Sequence, residues 1–327
     1  MSVTADFLGF GGYVPERVMT NDDWARLIDT DDEWIRTRTG IRERRFAAEG
    51  QSTADLAEEA ARVALKDAGL DGADLDEIIV ATDTPEVYTP DTAAFLQTRL
   101  GAGPVPAYDL GGSGCSGWVQ AIDVARARIS MAPRRILVVG VELISRLISW
   151  KERESCVLFG DAAGAVVMGP EGGKGRLLEV VAGTDGSRAD ILGLEVGGTR
   201  IPFSQETIDS GAFNHLTMNG REVFREAVKR MSAAAQAVLE KIGATLEEVA
   251  LVIPHQANQR IIDVVAKGLG VEDRIYSNVA NYGNTGSATV PLALWEARET
   301  GRIHPGDLVV LTAFGAGFHW AAAAIRF

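Results

Sequence analysis

Cys115 lies in Asp109-Leu110-Gly111-Gly112-Ser113-Gly114-Cys115-Ser116-Gly117-Trp118, between a short strand expected over 105–108 and a helix expected from 118 to about 129. The glycines let the backbone turn sharply and approach a ligand with no Cβ in the way. A thiol in the first turn of a helix feels the positive end of its dipole, which favours thiolate and makes a nucleophile. An elbow cysteine is therefore a candidate for covalent catalysis; the other reading is a small buried hydrophobe. His255, in Val252-Ile253-Pro254-His255-Gln256-Ala257-Asn258, falls on a loop directly after an apolar strand. Asn284 sits in Tyr282-Gly283-Asn284-Thr285-Gly286, where it reads as a turn residue or as an amide donor to a developing oxyanion. His215, His304 and His319 have no comparable setting and read as structural or surface groups.

For these distant loops to meet, the fold must bring them together, and the chain's organisation supplies a way. The same order of elements occurs twice, offset by roughly 170 residues. The first copy has a strand over 77–81, a helix near 92–99, a strand ending at Tyr108, the glycine elbow, the helix from Cys115 and a strand over 136–139. The second has a strand over 250–253, a helix over 260–267, a strand over 274–277, the glycine loop 282–286, a helix over 290–298 and a strand over 308–311. Helical patterns at 54–68 and 220–242 precede the copies. Strands alternating with helices imply a mostly parallel sheet covered on both faces, and the apolar strands around Val80 and Val138 fit such burial. The expected class is α/β, with two pseudo-duplicated halves packed across a shared helical layer. Residues 1–173 carry the cysteine and 174–327 the histidine and asparagine, divided at the linker Glu171-Gly172-Gly173-Lys174-Gly175. Loops at strand C-terminal ends then converge on one pocket.

A chain of 327 residues buries a sizeable core. The net charge of −13 argues against nucleic acid as the main partner, although Arg36, Arg38, Arg42, Arg44 and Arg45 could form a local basic patch or simply a solvated face. No apolar run approaches the ~20 residues that span a bilayer, and residues 1–15 do not read as a signal peptide. With Cys115 and Cys156 the only cysteines, a disulfide framework is not expected and a reducing cytoplasm is. No metal-ligand cluster is present.

Gly114-Cys115-Ser116-Gly117, Pro254-His255-Gln256-Ala257-Asn258 and Tyr282-Gly283-Asn284-Thr285 together resemble the β-ketoacyl-acyl-carrier-protein synthase III family. Further matching segments are Asp32-Glu33-Trp34-Ile35-Arg36-Thr37-Arg38-Thr39-Gly40-Ile41, Phe159-Gly160-Asp161-Ala162-Ala163-Gly164-Ala165, His215-Leu216-Thr217-Met218-Asn219-Gly220 and Phe314-Gly315-Ala316-Gly317-Phe318, so the resemblance covers essentially the whole chain. It implies the thiolase fold, a five-layered αβαβα duplication, and a cytoplasmic homodimer. It also implies condensation of a short acyl-CoA primer with malonyl-acyl carrier protein, starting fatty-acid chains without a cofactor.

By the same resemblance Cys115 would take the acyl group, and the backbone N–H groups of Cys115 and Ala316 would form its oxyanion hole. His255 and Asn284 would donate hydrogen bonds to the malonyl thioester oxygen. Trp34, Arg38 and Arg153 would hold the nucleotide end of CoA, and Gly220 and Asn258 the pantetheine arm; the bland reading of Trp34 is core packing behind the helix start Thr30-Asp31-Asp32-Glu33. Arg221, Arg225 and Arg260 would receive the acidic carrier protein. Phe314 and Thr89 would shape the acyl pocket. Thr89 aligns with a phenylalanine of acetyl-selective members, so a roomier pocket is expected, and the segment 189–212 departs from the family pattern. The rival readings are a thiolase-fold acyltransferase or polyketide starter-unit synthase and, more remotely, a papain-like cysteine protease. Gly114-Cys115-Ser116-Gly117-Trp118 is superficially similar to the protease's nucleophile segment and His255 follows at a comparable distance, but the strand–loop–helix repeat does not fit it.

Overall fold

The computed structural model describes residues 4–327. Thirteen strands form among the described residues: β1 (Ala5–Tyr13), β2 (Arg17–Thr20), β3 (Glu43–Phe46), β4 (Glu77–Ala81), β5 (Ala107–Leu110), β6 (Ile136–Leu143), β7 (Asp161–Gly169), β8 (Gly175–Thr184), β9 (Leu192–Leu194), β10 (Leu216–Met218), β11 (Val249–Pro254), β12 (Leu308–Gly315) and β13 (His319–Arg326). Nine join in the order β11-β12-β13-β8-β1-β7-β6-β4-β5. The β4–β5, β4–β6 and β11–β12 pairs are parallel, as the alternating strand–helix pattern requires.

Alternating side chains on these strands serve two different layers. On β6, Ile136 and Val138 join one core while Leu137, Val139, Val141 and Leu143 join another. On β12, Val309, Leu311 and Ala313 face the first core and Leu308, Val310 and Phe314 a third. The shared first core is filled by the helices Gly117–Met131 and Thr289–Glu299, through Trp118, Ile122, Ala125, Val290, Ala293 and Ala297, all fully buried. Residues of strands from both ends of the sheet reach it, so the sheet turns at the short β1–β8 pairing, Ala5 to Phe7 against Leu177 to Gly175, and its wings face each other across these helices. Outer helices Thr53–Ala68 and Thr92–Arg99 cover one wing, and Gly220–Ile242 and Gln259–Leu269 the other. Helix, sheet, helix, sheet, helix: five layers, with near-continuous apolar runs in β4, β6, β7 and β12, which are buried on both faces.

Helix caps confirm where the sequence patterns begin and end. Asn258 caps Gln259–Leu269 through its side chain, and Gly270 ends that helix in the left-handed conformation. Two expected strands differ. The first begins at Ala107 rather than residue 105, after Pro106, whose nitrogen cannot donate to a ladder. The strand expected over 274–277 is reduced to one bridge, Val252 to Ile275, because Gln256 Oε1 takes the Asn278 N–H at 2.9 Å and turns the chain away.

Candidate active site

The second copy's counterpart of the elbow enters the same space as the elbow itself. Cys115 lies in the 3-10 turn Gly114–Ser116 that feeds helix Gly117–Met131. His255 follows β11 directly, and Asn284 precedes the turn Gly286–Ala288 that feeds helix Thr289–Glu299. All three line one cavity of about 700 Å³. Asn284 is held by backbone bonds to the segment below it, its N–H donating to the Leu158 carbonyl at 2.8 Å and its carbonyl accepting from Gly160 at 3.0 Å. The end of β12 presses on the elbow so closely that a Cβ on Gly114 would stand 2.6 Å from the Ala316 nitrogen. The backbone amides of Cys115 and Ala316 are thus neighbours at the cavity wall.

The electrostatics differ from the sequence expectation for the thiol. Cys115 keeps partial surface because the cavity reaches it, but protein surrounds it otherwise. Burial pushes the thiol up, the carboxyls of Asp83 and Glu142 push it further, and a hydrogen bond from the Asn284 side chain opposes them. A helix terminus contributes at most about 2 kcal/mol, or roughly 1.5 in pKa, so burial wins and the resting group is the thiol. His255 is 4% exposed, and burial pushes it down to about 3, so its imidazole is neutral. Its Nδ1 lies 2.7 Å from Thr289 Oγ1 and its backbone N–H donates to the Thr312 carbonyl at 2.8 Å.

Asp83 and Glu142 carry no sequence motif and were not anticipated. Asp83 accepts from the Gly112 N–H at 2.9 Å, tying the loop after β4 to the elbow, and its own N–H donates to Glu142 Oε1 at 3.1 Å. Glu142 also accepts from the Thr84 hydroxyl at 2.7 Å. Both line the cavity: Glu142 is 1% exposed and burial pushes its carboxyl up, whereas Asp83 keeps surface along the cavity and the crowding of that recess pushes its carboxyl up. The one sequence signal was an acidic residue inside the apolar run of β6, at Glu142.

The remaining expected residues divide into groups. Gly220, Asn258, Phe314 and Ala316 line the cavity, with Phe314 tilted against Phe318 at 4.8 Å between centroids. Trp34, Arg38 and Arg153 are not in its lining but form their own stack, the guanidiniums 4.6 and 4.4 Å from the indole centre. Asn258 links this stack to the cavity by donating to the Arg38 carbonyl at 3.1 Å. Arg221, Arg225 and Arg260 are exposed on the first two turns of the outer helices whose Val223, Phe224 and Ile261 line the cavity. Thr89 is exposed and does not line its own chain's cavity, although Val87, Tyr88 and Pro90 do. Segment 189–212, which departs from the family pattern, contributes β9 to a short hairpin with β10, placing Leu192, Leu194, Leu216 and Met218 on the wall.

Two sheet wings around a shared pair of helices, each helix opening at an elbow on the same cavity, make a thiolase-fold acyltransferase. The family model described as 3-oxoacyl-[acyl-carrier-protein] synthase III matches residues 108–186, and the model of that family's C-terminal part matches 239–327. A β-ketoacyl-[acyl-carrier-protein] synthase III of Roseiflexus castenholzii is 46% identical over 100% of this chain and 99% of its own. The crystal structure of 3-oxoacyl-[acyl-carrier-protein] synthase III from Aquifex aeolicus superposes with a TM-score of 0.90 at 40% identity, covering 99% of this chain and 100% of that one. The crystal structure of β-ketoacyl-[acyl carrier protein] synthase III from Thermus thermophilus gives 0.89 at 45% identity, covering 98% of this chain and 99% of that one. The chain belongs to the β-ketoacyl-[acyl-carrier-protein] synthase III family.

Proposed function

We propose that this enzyme condenses an acyl-CoA primer with malonyl-acyl carrier protein through an acyl-Cys115 intermediate, initiating fatty-acid chains. The observation that carries the reading is the meeting of Cys115, neutral His255 and Asn284 in one cavity beside the Cys115 and Ala316 amides. Cys115 Sγ attacks the primer carbonyl, the two amides bind the oxyanion, and the carbon–sulfur bond to CoA breaks with the thiol proton leaving on CoA. The malonyl thioester then loses CO₂, its bonding electrons passing into an enolate that His255 and Asn284 stabilise as hydrogen-bond donors. The enolate carbon attacks the acyl group, and Cys115 leaves as thiolate and regains a proton from solvent. Each step is acyl transfer or decarboxylation, which calls for neither a metal nor a redox cofactor.

The Trp34–Arg38–Arg153 stack takes the nucleotide end of CoA, and Asn258 and Gly220 the pantetheine. The apolar wall from Ile144, Leu147, Leu192 and Leu194 supports primers longer or more branched than acetyl. Tyr88, 84% exposed beside Thr89, supports a homodimer in which Thr89 closes the partner's acyl pocket. The two halves divide at 173/174. No helix among the described residues is long and apolar enough to cross a membrane. The acidic charge supports an enzyme without nucleic-acid partners, and two free cysteines support a reducing, cytoplasmic setting.

Incubation with a panel of acyl-CoAs should give a mass shift on Cys115, and malonyl-acyl carrier protein should then release the β-ketoacyl product. Acylation with no condensation overturns the reading in favour of a plain acyltransferase. Arg221, Arg225 and Arg260 form the carrier landing site: Arg225→Glu with Arg260→Glu should raise KM for the carrier substrate far more than for acyl-CoA. Equal loss on both substrates removes that assignment.

A further inference from the structure

The donor role proposed for His255 depends on which ring nitrogen carries its single hydrogen. Thr289 decides this. It is 1% exposed, opens helix Thr289–Glu299, and holds its Oγ1 2.7 Å from His255 Nδ1 and 2.9 Å from the Gly286 carbonyl oxygen. One hydroxyl proton therefore faces two acceptors. Turned toward Gly286, it obliges Nδ1 to carry the ring hydrogen and leaves Nε2 bare. Turned toward Nδ1, it puts the ring hydrogen on Nε2, the nitrogen left for the cavity. A carbonyl or carboxylate at Nδ1 would impose the first arrangement, because neither can donate; a hydroxyl permits the second. The chemistry of the site selects the second: the nitrogen left for the cavity must carry a hydrogen to donate, and the Gly286 carbonyl then forgoes the hydroxyl.

We propose that Thr289 donates to Nδ1 and is the positioning residue that holds His255 as its Nε2–H tautomer, ready to donate to the malonyl thioester. The assignment rests on the functional reading above and touches one half-reaction only. Acylation of Cys115 uses backbone amides and makes no demand on Nε2–H, whereas decarboxylation does.

Nitrogen NMR of the ¹⁵N-histidine-labelled resting enzyme reads the tautomer without turnover, with His255→Gln identifying the signal. A bare Nδ1 and protonated Nε2 are expected. Thr289→Val removes the hydroxyl at nearly constant volume; it should shift the tautomer and slow malonyl-thioester decarboxylation about a hundredfold, the usual effect of losing one donor to an oxyanion. The mass shift of Cys115 with acyl-CoA should proceed at the wild-type rate, and Thr289→Ser should restore both tautomer and decarboxylation. A resting Nδ1–H tautomer, a Thr289→Val enzyme that decarboxylates normally, or a Thr289→Ser enzyme as slow as the valine variant overturns the proposal. Should the wild-type enzyme fail to decarboxylate malonyl thioesters at all, the functional reading falls, while the NMR result still decides the tautomer.

Discussion

Gly114-Cys115-Ser116 and Gly286-Ser287-Ala288 are the same structure built twice: a 3-10 turn running into a central helix, opened by a glycine at φ 56° in one half and 57° in the other. The side chain at the second position differs in what it meets. Cys115 opens onto the cavity, whereas Ser287 is 1% exposed and gives its hydroxyl to the Ala81 carbonyl at 2.8 Å. The strand ends show the same divergence, with Asp83 after β4 and His255 after β11, one carboxyl pushed up by the crowded cavity recess and one buried imidazole pushed down. Duplication supplied two equivalent places for a reactive group. Packing left one of them open and turned the other into a brace, so the chemistry is asymmetric on a symmetric frame.

Truncating each second position should separate the two roles most sharply. Cys115→Ala should abolish the acyl mass shift and lower condensation at least about a thousandfold, as loss of a covalent nucleophile does, with a melting temperature close to wild type. Ser287→Ala should still acylate Cys115 while losing about 1 kcal/mol of stability in urea unfolding, the net worth of one buried hydrogen bond. Acylation of the Cys115→Ala protein at another site would end the comparison.

The two glycines offer the next test. Both need the left-handed backbone that an alanine adopts at a cost of about 1–2 kcal/mol. A Cβ on Gly114 would also stand 2.6 Å from the Ala316 nitrogen, whereas one on Gly286 would meet Glu142 Cγ at 2.6 Å. Gly114→Ala should therefore displace an oxyanion-hole amide and reduce acylation about a hundredfold. Gly286→Ala should shift a side chain instead, and its defect should appear mainly as lost stability. Equal acylation rates in the two variants would show that the elbow tolerates the displacement.

How far the sequence carried this picture is set by the range of the interactions behind each feature. Helices 53–68, 92–99 and 220–242 were legible because their caps and apolar spacing are local. Cys115, His255 and Asn284 were legible because each sits in a glycine-marked or strand-end loop, and the repeat explained why such loops converge. Asp83, Glu142 and Thr289 were not. An aspartate after a strand or a threonine at a helix start is ordinary until the fold sets it against a thiol or an imidazole. The thiolate expectation failed for a related reason: the helix dipole is visible in the sequence, but the burial that outweighs it is not. The β9–β10 hairpin also escaped, since three-residue strands carry too little pattern to stand out.

Histidine and aspartate at the equivalent strand ends should respond differently to acid. The unfolded chain takes up a proton at His255 near its ordinary 6.5, and the folded chain does so only near 3. Its contribution to stability is complete above about pH 6.5 and is lost as the pH falls toward 3, by about 1.4 kcal/mol per pH unit. Between pH 6.5 and 4.5 the wild-type protein should lose about 2–3 kcal/mol more than His255→Gln in urea titrations. Parallel loss in both proteins would mean that His255 is not held neutral by the fold.

The smallest effect tests whether the β4 strand end acts on the thiol at all. After burial, Asp83 is the next cause holding the Cys115 thiol protonated. Asp83→Asn removes that charge and keeps an oxygen to accept the Gly112 N–H. If the thiol pKa drops by about one, thiolate rises tenfold at neutral pH; the weaker nucleophilicity of a less basic thiolate returns about a threefold factor, leaving alkylation by iodoacetamide about threefold faster. In the wild-type enzyme the alkylation rate should climb through pH 9 without levelling, because the thiol lies above its ordinary value. The variant's profile should follow the same course displaced to lower pH. A profile that does not move assigns the raised thiol to burial alone, and Asp83 then acts on Cys115 only by holding the elbow in place.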